Sequence, residues 1–131
     1  MSASTASSTQ RPLVEEQLTR ALGAWAAGSV VLGAALSAHP RTRGFGRQSA
    51  AWGAVDGAIA AVGVHNRRRK GPTDPARLRT VLLVNAGLDF GYLAMGARMR
   101  RTDRWRGDGL AVLVQGAFLL VLDITAAARL R

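Results

Sequence analysis

Apolar and basic stretches alternate along the chain. Segments 21–38, 48–65, 80–97 and 109–128 contain no Lys or Arg, and basic residues gather at 41–47, 67–79, 98–106 and 129–131. Eighteen helical residues cover roughly 27 Å, enough to cross the hydrocarbon core of a bilayer. The pattern predicts four spans bounded by basic flanks. Pro40 stops the first span, because proline cannot continue a helix. Pro72 and Pro75 mark the turn between the second and third. Asp108 is placed to cap the fourth. Residues 1–11 are rich in Ser, Thr and Ala and read as a disordered tail. Pro12, Glu15 and Glu16 suit the start of a helix that leads into the first span. Ala35-Leu36-Ser37 loosely resembles a signal cleavage site, but Glu15 and Glu16 offset Arg11 and Arg20, so the basic leader region is missing.

A shift of 63 residues aligns the chain with itself without a gap. Gly28, Gly33 and Ala34 fall on Gly91, Gly96 and Ala97. Arg41, Arg43, Gly44 and Gly46 fall on Arg104, Arg106, Gly107 and Gly109, and Gly53 and Ala54 fall on Gly116 and Ala117. The fold expected is therefore all-α: an integral membrane four-helix bundle made of two duplicated helical hairpins, 12–65 and 75–128, within a domain 12–131. An even number of crossings separates the hairpins, so they are parallel repeats. Polar residues do not follow the repeat. Asp89 aligns with Ala26, Asp123 with Ala60, Asp56 with Leu119 and Gln115 with Trp52. Unequal halves point to one asymmetric polar site.

The third span carries that site's clearest signal. Asp89 sits ten residues after Arg79 and nine before Arg98, near the middle of the apolar run. A carboxylate at such a depth is expensive and marks a functional or pairing position. Asn85, Asp89 and Tyr92 are spaced four and three apart and share a helix face. Asp56 and Gln115 lie nine residues beyond Arg47 and Arg106, which places them about 13 Å below the same surface as Asp89. No Lys or Arg lies at that depth. The candidate pocket is Trp52, Asp56, Asn85, Asp89, Tyr92, Gln115 and Asp123. Interhelical hydrogen bonding as packing glue is the competing reading, and a strong one for Asn and Gln. Gly53-x-x-x-Gly57 and Gly87-x-x-x-Gly91 are expected to let helices approach closely and offer faces for a homo-oligomer. Trp25 is a further candidate for the cavity wall, and Trp105 for an interfacial anchor.

Charge alters the picture only at the ends of the spans. The net charge is +10, with 18 Lys and Arg against 8 Asp and Glu. Such a balance in a soluble protein would suggest nucleic-acid binding, but the segregation of the basic residues argues for a bilayer partner and against nucleic acid. Ten basic residues fall on the side of the termini and eight on the other, a slight bias toward cytoplasmic termini. Arg41, Arg43, Arg104 and Arg106, in the repeated Arg-x-Arg-Gly-x-Gly loops, are candidates for contacting anionic head groups. His39 and His65 sit at opposite ends of their spans and cannot share a metal. The chain has no Cys, and no nucleotide, cofactor or nucleophile motif is present.

Trp52-Gly53-Ala54, Asn85-x-x-Leu88-Asp89-x-x-Tyr92-x-x-x-Gly96, Arg106-Gly107-Asp108-Gly109 and Gln115-Gly116-Ala117-Phe118-Leu119-Leu120-x-x-Asp123 together resemble an uncharacterised family of small four-span bacterial membrane proteins, a domain of unknown function. The resemblance spans about 52–123. It implies a multi-pass protein of the bacterial cytoplasmic membrane and implies no activity. The residues themselves favour an intramembrane pocket for a small or lipid-like ligand. Alternatives are an acid–base enzyme acting on prenyl-type lipids, a proton-coupled transporter and a non-catalytic membrane subunit.

Overall fold

The computed structural model describes residues 2–130, with side chains described from 13 to 130. Four helices follow in order: α1 Ser2–Ser37, α2 Arg43–Lys70, α3 Pro75–Met99 and α4 Arg106–Ala128, with a 3₁₀ turn at Asp103–Trp105 before α4. No strand occurs among the described residues. Met1 and Arg131 lie outside them.

α2, α3 and α4 contain their predicted apolar segments, with α2 and α3 running past them at both ends, and α1 ends at Ser37, one residue short of the predicted limit. α1 begins at Ser2 and so takes in most of the segment read as a disordered tail. Extending an existing helix is far easier than nucleating one, and the Ser/Thr/Ala run contains no breaker before Pro12. The basic stretch 41–47, expected as a loop, is mostly the first turns of α2, which begins at Arg43. Arg67–Lys70 form the last turn of α2, where cations complement the helix dipole. That helix ends at Gly71, whose φ of 78° is open to glycine at little cost. Asp74 caps α3 by accepting from the Arg77 N–H at 3.1 Å, and Pro75 fills the first helical position. Asp108 does not cap α4. It lies in the first turn, behind Trp105, and its carboxylate accepts a hydrogen bond from Arg47 of α2 at 3.2 Å.

Among the described residues, three helices are long and apolar enough to cross a membrane: Leu13–Ser37, Pro75–Met99 and the segment Asp103–Ala128. α2 is long enough but less apolar, because Ala, Gly and its basic ends dilute Val and Ile.

α1 pairs with α2 and α3 with α4 as two hairpins, which meet mainly along α2 and α4. Both hairpins cross at glycine. A Cβ added to Gly33 would lie 2.5 Å from the Ala50 nitrogen and 2.6 Å from the Gly46 carbonyl oxygen. The positions 63 residues on behave alike, since a Cβ on Gly96 would lie 3.0 Å from the Leu113 nitrogen and 2.9 Å from the Gly109 oxygen. Only glycine allows such an approach. The expected Gly87-x-x-x-Gly91 face is not a crossing, because nothing lies within 4 Å of either position.

Polarity is turned inward. Ser49, Asp56, Asp89, Asp108, Gln115 and Asp123 are buried, while Val31, Leu32, Val62, Val84, Phe90 and Val121 are exposed. Val14, Leu82, Ala126 and Ala127 form a small apolar cluster that closes the end holding the chain termini.

Candidate functional site

α2 and α3 belong to different hairpins and their backbones scarcely approach. The gap between them opens into a cavity of about 410 Å³. Val55 and Ile59 of α2 and Val81 and Leu88 of α3 form exposed apolar lips. Trp52 and Tyr92 pack edge to face across the gap, with centroids 5.0 Å apart.

The floor is acidic. Asp56 from α2, Asp89 from α3 and Asp123 from α4 all line the cavity, at 1%, 3% and 7% exposure. The three acids come from three different helices and meet in one lining. Two carboxyl oxygens, Asp56 Oδ2 and Asp89 Oδ2, are buried without a hydrogen-bond partner among the described residues. An acceptor left in that state forfeits its hydration with nothing in return, at a cost of about 1–3 kcal/mol. Asn85 lies one turn from Asp89 and faces the same cavity.

The register of the second hairpin explains why Asp123 belongs to this group. Leu93 packs on Gly116, and Gly96 on Leu113. The same register sets Asp89 opposite Leu120, three residues or roughly 4.5 Å short of Asp123. Side chains lean toward the N-terminus of their own helix. In antiparallel helices Asp89 and Asp123 therefore lean toward each other and close that offset.

Gln115 lies apart from the cavity. It is five residues nearer the α3–α4 turn than the level of Asp89, and it faces α1. Its Oε1 accepts from Trp25 Nε1 at 2.6 Å and its Nε2 donates to Ser29 Oγ at 3.1 Å. Trp25, considered for the cavity wall, instead stacks on Phe118 with centroids 3.9 Å apart and planes 5° from parallel. Counting depth from flanking arginines grouped Gln115 with Asp56 and Asp89, because Arg98 and Arg106 are not level: in this register Arg98 stands opposite Ala111, five residues deeper than Arg106.

Glu15 and Arg77 mark the rim at the termini end. Glu15 accepts from the Thr73 N–H at 2.9 Å and from its hydroxyl at 2.7 Å, which latches α1 to the α2–α3 turn. Nothing in the sequence announces this latch, since 58 residues separate its partners. Of the arginines considered for head-group contact, Arg106 donates to Asp103 at 2.6 Å, and Arg104 lies over the Trp105 ring, 5.1 Å from its centroid. The Arg41 backbone N–H donates to His39 Nδ1 at 3.2 Å. Arg43 opens the first turn of α2.

A family model described as "Family of unknown function (DUF6992)" matches residues 21–124. The chain belongs to that family, and the matched segment contains the cavity's acidic floor and both glycine crossings. No curated protein and no solved structure matches the chain.

Proposed function

We propose that this member of DUF6992 is a multi-pass membrane protein that binds a small or lipid-like ligand in the cleft between α2 and α3. One observation carries the reading: apolar lips lead to a buried floor of three carboxyls, two of whose oxygens lack any partner. Packing glue satisfies its own hydrogen bonds, and these groups do not. Three spans follow from length and composition. Basic residues bound α2 at both ends, and its exposed Val55, Ile59 and Val62 supply a lipid-facing side, which supports a fourth. In this arrangement the lips face hydrocarbon, and an amphiphile enters sideways without crossing water.

Two experiments test the reading. Topology reporters fused after Gly71 and at Arg131 report one side, and those at Gly44 and Thr102 the other. Gly44 and Gly71 reporting the same side removes α2 as a span. The cleft itself is tested with a neutral long-chain alkyl diazirine in bilayers. Labelling concentrates at Val55, Ile59 and Leu88, and Ala60→Phe, which narrows the cavity, abolishes it. Labelling equally dense at Leu32 and Val121 would leave the cleft as ordinary lipid-facing surface.

A further inference from the structure

We propose that the ligand of this cleft is a long-chain amine in its protonated form, its ammonium seated among Asp56, Asp89 and Asp123 and its alkyl chain between the lips of α2 and α3. The inference rests on the cleft reading above and adds the chemistry of the head group.

Consider what the floor requires. Asp56 Oδ2 and Asp89 Oδ2 are acceptors in a buried setting, on side chains 1% and 3% exposed that line the cavity. They call for donors. The described residues supply none to either oxygen, although Asn85 and Tyr92 stand in the same lining. Nor do the described residues bring a cation to the floor. Among the described residues Arg77 is the one basic member of the lining, and it sits twelve residues from Asp89, about 18 Å along α3. Glu15, the fourth acid of the lining, already accepts two bonds from Thr73 at the rim.

Head groups differ sharply against that requirement. A primary ammonium offers three donors and a positive charge. An alcohol offers one donor and no charge. A carboxylate or phosphate ester offers acceptors only and adds repulsion. Charge-assisted bonds are the stronger kind, and more so away from water. The aromatic pair Trp52 and Tyr92 adds a wall suited to a cation, through the negative faces of the rings. A cavity of about 410 Å³ accommodates such a head with the first part of its chain, whereas the exposed Val55, Ile59, Val81 and Leu88 leave the remainder in an apolar setting.

The protein's overall field makes the test stringent. With a net charge of +10, non-specific attraction favours an anionic amphiphile over a cationic one. A preference for the amine therefore reports the floor and not the surface.

The experiment uses the full chain in phosphatidylcholine nanodiscs labelled by the neutral alkyl diazirine. Dodecylamine, dodecanol and dodecanoate are compared as competitors for labelling at Val55, Ile59 and Leu88. The expected result is displacement by dodecylamine at a concentration at least tenfold below either of the others. In Asp56→Asn/Asp89→Asn the neutral probe still labels the cleft, and the advantage of the amine falls below threefold. Should the double variant fail to label, Asp89→Asn alone serves, with the advantage at least halved. Equal potency of the three competitors overturns the inference, as does an advantage that survives in the Asn variants. Either outcome leaves the cleft reading standing, since the neutral probe reports that independently. Loss of cleft labelling in the wild type overturns both.

Discussion

Two polar layers lie within one small bundle, and they behave oppositely. In the first, Gln115 reaches from α4 to α1, and both ends of its amide are engaged by Trp25 and Ser29. Phe118 covers the indole, and this layer does not line the cavity between α2 and α3. In the second, Asp56, Asp89 and Asp123 come together from three helices, two of their oxygens lack partners, and a cavity adjoins them. A buried polar residue is therefore not in itself a sign of function. The sign is an unmet hydrogen-bonding requirement next to space that something else can fill. The first layer reads as structural, and the second is the floor on which the proposed binding rests.

Three substitutions sharpen this contrast. The largest effect on stability is expected from Gln115→Leu, which strands both the Trp25 N–H and the Ser29 hydroxyl. Unfolding of the detergent-solubilised protein should show a loss of about 1–2 kcal/mol, while cleft labelling stays at the wild-type level. An unchanged stability would dissolve the distinction between the layers. Trp25→Phe keeps the stack on Phe118 but removes one donor, so a smaller loss, about 1 kcal/mol, is expected. Its effect should nearly vanish in the Gln115→Leu background, as a double-mutant cycle would show. The smallest effect is expected from Asp56→Leu. Asp56 has an oxygen that no partner satisfies and adjoins a cavity that can take the extra methyl groups, so stability should stay within about 0.5 kcal/mol of wild type or rise slightly. Cleft labelling by the alkyl probe should still be altered, because the floor has become apolar. A drop of several kcal/mol would show that Asp56 holds the bundle together and would move it into the structural layer.

The two hairpins allow a parallel comparison. Their glycine crossings correspond position by position at an offset of 63, down to the backbone atoms approached by Gly33 and Gly96. Their buried polar residues do not correspond: Asp56, Asp89, Gln115 and Asp123 align with Leu119, Ala26, Trp52 and Ala60. Packing at the crossing tolerates nothing larger than hydrogen, so those positions have no freedom to differ. The polar layers sit where the helices have diverged enough to leave room.

Much of this architecture is legible in the order of residues, for a simple reason. Length, apolar runs and basic boundaries set the number and order of helices, because each follows from local periodicity and from the absence of breakers between the prolines and Gly71. The interior placement of Asp56 and Asp89, and the shared face of Asn85, Asp89 and Tyr92, follow from the same local geometry. Tertiary structure decided the rest. It set Asp123 beside Asp89 and turned Gln115 toward Trp25, because a side chain's reach depends on helix register and on its lean toward the helix N-terminus. It put the close crossings at Gly33, Gly46, Gly96 and Gly109 and left Gly87 and Gly91 open. It also made the cleft, which exists only because α2 and α3 belong to different hairpins and are held apart by the packing of α2 on α4.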